Sequence, residues 1–205
     1  ALALTVTLGL VLAAMHGWGV APPSFAIREL HPAWGLAGWT GLLVAGVAYQ
    51  VVPMFQMTPP YPPAMTRWFP AAVFALLSAW SVATWHGEVP TLAATLAVFL
   101  AGGYIAFALT TLVLQTRRRR RVPDATLAFW QLGMASIAIA AALWCVRAVR
   151  PEAPEALDLV IGILAIVGGA VSVIAGMLYK IVPFLGWFHL QASVGPKGAP
   201  HMKKF

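Results

Sequence analysis

Gly46-Val-Ala-Tyr49-Gln-Val-Val-Pro53-Met-Phe55 and Gly176-Met-Leu-Tyr179-Lys-Ile-Val-Pro183-Phe-Leu185 are two copies of one phrase, 130 residues apart. Each closes a long apolar stretch that reads as a helix. The interval holds four such stretches, so the chain reads as a four-helix unit that has begun to repeat, with helices two and six equivalent. A histidine, His31, precedes only the first copy on the face carrying the phrase, and Ile161 stands at the matching position before the second.

Composition identifies the solvent. Hydrophobic residues make up 60% of the chain and charged residues 9%, against roughly 25% charged in soluble domains, so the expected environment is a lipid bilayer. Crossing it takes about 20 apolar residues per helix. Six segments qualify, at 2–20, 33–57, 64–85, 92–115, 125–149 and 156–189, and the alternation of a β-barrel is missing. The expectation is an all-α polytopic membrane bundle forming one transmembrane domain over 1–205. The last segment exceeds a straight span and should tilt or run past the membrane.

Basic residues orient the bundle. Six spans put both termini on one side, with Arg67, the run Arg117–Arg121, Lys197, Lys203 and Lys204. The other side carries Arg28, Arg147 and Arg150, diluted by Glu29, Glu88, Glu152, Glu155 and Asp158. The termini are therefore expected in the cytoplasm. The net charge of +7 follows from this topology and calls for no nucleic-acid partner. The arginine run reads as a topology anchor, with contact to anionic lipid heads as the alternative.

The chain opens inside an apolar segment and closes on Ala199-Pro-His-Met-Lys-Lys-Phe205. It is expected to be a section of a longer protein, with the bilayer, the remaining chain and other membrane subunits as partners. Cys145 stands alone and reads as a small packing residue. Thr58-Pro-Pro-Tyr-Pro-Pro63 reads as a stiff extended connector. No phosphate loop, Ser/His/Asp set, HExxH or CxxC is present.

In the second segment, His31, Gly35, Gly38, Leu42, Gly46, Tyr49 and Pro53 fall near one helical face. The matching positions in the sixth are Ile161, Ala165, Gly168, Ser172, Gly176, Tyr179 and Pro183. A small-residue face admits either another helix or a flat macrocycle beneath a coordinating histidine. Pro53 and Pro183 each remove a helical hydrogen bond and should bend or loosen their helices. Gln50 and Lys180, one turn earlier, could satisfy freed carbonyls; Lys180 reads as a cation reaching the head groups, or as a proton or anion contact. His16, His31 and His86 lie at one depth on the outer side, where they could hold haem or copper or simply sit at the interface. His189 and His201 fall at the other end.

Arg28-Glu-Leu-His31, followed by Gly35, Gly38, Gly41 and Gly46 up to Ala48-Tyr49-Gln-Val-Val52, resembles the second helix of the haem-copper oxidase catalytic subunit. The cbb-type members and the NnrS family are the nearest in kind. That superfamily arranges twelve helices in three four-helix arcs, a period matching the 130-residue repeat. The phrases Tyr49–Phe55 and Met177–His189 also resemble uncharacterised bacterial proteins of the superfamily. The resemblance implies a multi-pass bacterial inner-membrane protein in respiratory electron transfer or nitric-oxide-related metabolism. It implies haem b, with copper as a further metal. His31 would be an axial ligand, His16 or His86 the second, and Gly35 and Gly38 the surface under the ring. The chain departs from the family in three respects: the sixth segment has no interior histidine, the paired histidines of the tenth helix are missing, and no span carries an acidic residue in its interior for protons. Complete oxidase activity is therefore not expected. The alternative is a cofactor-free permease-like or structural subunit whose small faces only pack.

Overall fold

The computed structural model describes residues 1–19, 25–87, 89–119, 122, 124–150 and 152–195. Glu88, Arg120, Arg121, Lys197, His201, Lys203 and Lys204, named above, lie outside the described residues. The described chain is all-α. Its helices are α1 (Leu2–Trp18), α2 (Phe25–Gln56), α3 (Pro63–His86), α4 (Pro90–Thr116), α5 (Ala125–Val149) and α6 (Ala156–Val194). Five are long and apolar enough to cross a membrane, and α1 is shorter, with 17 residues. The chain is a polytopic membrane helical protein.

Local chemistry sets most helix ends. Pro63 and Pro90 occupy first-turn positions of α3 and α4, where a missing N–H costs nothing. The Asp124 carboxylate accepts the Leu127 N–H at 2.9 Å and caps α5. Gly19 and Gly87 end α1 and α3 in the left-handed region.

The start of α2 departs from expectation. It begins at Phe25 rather than 33, so Arg28, Glu29, His31 and Pro32 all lie inside the helix. Pro32 deprives the Arg28 carbonyl of its donor four residues on. A π-helical segment, Trp34–Gly41, follows directly. A second π-helical segment, Leu164–Val171, lies in α6. The two are 130 residues apart and agree residue by residue. Leu42 N–H bonds Trp39 O in one and Ser172 N–H bonds Gly169 O in the other. A π turn leaves a carbonyl without its usual donor, and the same position is served in both. Tyr104 of α4 donates to the Ala37 carbonyl, while the Ser172 hydroxyl donates to the Val167 carbonyl at 3.2 Å.

Neighbouring helices run antiparallel. Thr5 and Gly9 of α1 meet Gly35 and His31 of α2, and Phe129 of α5 meets Gly176 of α6. α4 is the centre: it packs between α3 and α5, touches the second half of α2, and buries Ala97, Leu100, Phe107 and Ala108 completely. α6 packs along α5, and its π segment touches that of α2. Its far side exposes Ile163, Val167, Val171 and Ile174, an apolar surface suited to lipid. Both α2 and α6 continue through Pro53 and Pro183.

Candidate functional site

The expected site residues separate in space. The Nδ1–H of His31 donates to the Thr5 carbonyl at 3.1 Å. A carbonyl only accepts, so the neutral ring keeps Nε2 as its unprotonated nitrogen. The ring edge lies against Gly9, where an added Cβ would come 2.9 Å from Cε1. His31 thus faces α1. His16 is exposed, its Nδ1 bonded to its own Leu12 carbonyl at 2.8 Å. His86 is exposed at the end of α3, beside a shallow apolar groove shared with α4. Among the described residues, no three His, Cys, Asp or Glu side chains converge as a metal site would require.

The glycine face under His31 is filled. An added Cβ at Gly35 would stand 3.3 Å from the Thr5 methyl, and one at Gly38 would stand 3.0 Å from Leu77 and 2.9 Å from Trp34. α1, α3 and the helix's own tryptophan occupy the place a macrocycle would need. The available nitrogen and the available space are on different faces of α2, so these residues, as packed, do not fit a haem.

The space is a cavity of about 340 Å³ between α2, α4, α5 and α6. Both π segments wall it, through Leu36, Ala37 and Thr40 on one side and Ala165 and Ala170 on the other. Tyr104 and Phe107 of α4 and Trp144 of α5 line it further. Arg28, Glu29 and Asp158 are its charged residues, and Arg147 bonds Asp158 at 3.0 Å through Nε, tying α5 to α6. None of the five expected site residues lines it. In the sequence these charges read as side-assigning residues beside helix ends, with nothing to bring Arg28, Glu29 and Asp158 to one cavity.

The other end of the bundle, where Arg67 and the arginine run lie, holds polar groups that the sequence did not disclose. Tyr61, in the proline-rich connector, is buried; its hydroxyl bonds Thr111 at 2.8 Å and its ring stacks on Phe107 at 6.2 Å. Loss of hydration pushes its phenol well above the usual range. Lys180 meets an anion, the second of its two sequence readings: it pairs with Asp124 at 2.9 Å, both side chains being about three-quarters buried. Asp124 therefore caps α5 through one oxygen and holds α6 through the other. Asp124→Ala is expected to cost about 1–2 kcal/mol, lowering the Tm in detergent by about 2–8 °C. Lys180→Met, which leaves the cap intact, is expected to cost less than half of that.

No family model, no curated protein and no solved structure matches this chain.

Proposed function

We propose that this chain is an integral membrane binding protein, permease-like or structural in role, whose site is the chamber between α2, α4, α5 and α6. Its ligand is a lipid-soluble molecule with a polar head. The observation that carries this is the chamber itself. Its volume, about 340 Å³, falls in the range of small-molecule sites, and apolar walls with a few polar groups are the usual lining of such sites. The apolar wall suits a hydrocarbon body. Arg28 and Glu29 offer a donor and an acceptor to its head. π-helical turns recur at functional sites in helical proteins, and here two of them face one space. Their matching registers also favour an internal repeat relating α2 to α6. By the positive-inside rule the arginine run lies on the cytoplasmic side of a bacterial inner membrane, so the charged end of the chamber lies toward the outer side.

Mass spectrometry of what the protein carries tests this. Protein purified in mild detergent is expected to retain an extractable small molecule near one per chain. Ala140→Phe and Ala165→Phe, which fill the chamber, are expected to reduce it by about tenfold or more, the loss of roughly 1.4 kcal/mol or more of binding. Retention unchanged by both fillings, in folded protein, would count against the chamber.

Haem on His31 is the second reading, and one observation favours it. A ligating imidazole typically donates its other N–H to a backbone carbonyl, as Nδ1 does to Thr5. It requires α1 to move away from Gly35. A Soret band and stoichiometric iron after haem-sufficient expression, both lost in His31→Ala, would establish it. Under the chamber reading the preparation is colourless, and His31→Ala costs about 1 kcal/mol of stability from the lost hydrogen bond.

A further inference from the structure

We propose that the seam between the ends of α2 and α4 nearest the arginine run is a hydration site, where exchanging water is bound by Gln56 and Gln115. Both side chains are buried, 3% and 2% exposed, and neither the oxygen nor the nitrogen of either amide has a protein partner. Elsewhere on these two helices the buried positions are chiefly apolar: Ala45, Ala48 and Val52 on α2, Leu100, Phe107 and Ala108 on α4. An amide left dry among such neighbours is heavily penalised, most of all inside a membrane.

Two hydrogen bonds frame the seam. Arg119 N–H donates to the carbonyl of Met57, the residue after Gln56, at 3.0 Å. Tyr61 bonds Thr111, one turn before Gln115. The amides are thus held between fixed points rather than at frayed ends. Gln56 is the last residue of α2 and Gln115 the last but one of α4, so the bulk phase is about a turn away. The chemistry selects the ligand. Each amide presents two donors and a two-fold acceptor, and water satisfies both kinds at once. A cation would leave the N–H groups unmet, and an anion the carbonyls.

Thiol accessibility in a Cys145→Ala background tests the site. Gln56→Cys and Gln115→Cys are expected to react with a small water-soluble methanethiosulfonate at least about tenfold faster than Val52→Cys and Ala108→Cys, since exposure governs thiol reactivity. The two control positions are fully buried. Rates equal to the controls would overturn the proposal and indicate a dry seam. If the cysteine variants do not fold, Gln56→Glu and Gln115→Glu decide. A hydrated seam accepts a carboxylate with the Tm within about 5 °C of wild type, whereas loss of folded protein in both would overturn it.

Discussion

Alanine at Gly176 is expected to lower the Tm by about 2–12 °C, while alanine at Gly46, the same position in the other copy of the phrase, is expected to be neutral or slightly stabilising. An added Cβ at Gly176 would stand 2.8 Å from the Phe129 Cβ, 3.2 Å from Trp130 Cδ1 and 3.3 Å from the Thr126 carbonyl oxygen. A Cβ and a carbonyl are fixed to the backbone and cannot rotate away, so α5 and α6 would have to part. The whole seam is built this way. A Cβ at Gly133 would meet Val173 at 2.7 Å, and one at Gly168 would meet the Ser136 Cβ at 2.6 Å. Overpacking of this kind costs about 1–3 kcal/mol and occasionally more. Gly46 has nothing within 4 Å, so alanine there adds up to about 1 kcal/mol through helix propensity. Parallel thermal melts of the two variants in one detergent would check this. Equal losses would mean that Gly46 is also covered, and two gains would mean that the α5–α6 seam is not closed.

Gly41→Ala is expected to be at least as damaging, with a loss of about 3 kcal/mol. Its Cβ would stand 2.8 Å from both Cε1 and Cζ of Tyr104, and nearer still to the hydroxyl. The ring cannot simply swing aside. It is 7% exposed, packs edge-on against Phe69 at 5.4 Å, and donates its hydroxyl to the freed Ala37 carbonyl. Tyr104→Phe removes only that donor and should cost about 1–3 kcal/mol, the usual penalty for an orphaned buried acceptor. Gly41→Ala combined with Tyr104→Leu should fall short of the summed single costs by about 1 kcal/mol or more, because the shorter side chain vacates the space the new methyl needs. Strict additivity in this cycle would contradict the contact. Since both residues line the chamber, the same variants should also retain less of the extractable molecule.

Much of the architecture was legible in the sequence. The segments at 64–85, 92–115 and 125–149 match α3, α4 and α5 to within two residues, because continuous apolar runs bounded by proline and charge have few other outcomes in lipid. The second helix begins eight residues before the segment its apolar run marks. Arg28, Glu29 and Pro32 each argue against a helix interior, yet all three lie inside one, and local propensity yields to the continuing apolar run that follows. The glycine stripe was visible, but its use was not. Regular 3.6-residue periodicity puts Gly35, Gly38 and Gly46 near one face. They meet Thr5, Leu77 and open space respectively, because a π segment shifts the register and different helices cover different levels.

By itself the sequence determined the solvent, the helical class and the approximate spans, since each rests on local quantities: how apolar a stretch is, how long it runs, and which charges flank it. The phrase found at Gly46 and again at Gly176 is likewise visible there, and a π segment precedes each occurrence. Only the tertiary structure decided which nitrogen and which space lie together. His31 turns to α1, while a chamber without histidine opens on the other side, walled by residues 64 to 121 positions apart in the chain, such as Thr40 with Tyr104 and Ile161. Asp124 meeting Lys180, and Gln56 and Gln115 enclosed without partners, were likewise beyond local reading. Side-chain partners depend on how helices cross, and crossing is set by packing between segments that no single stretch encodes.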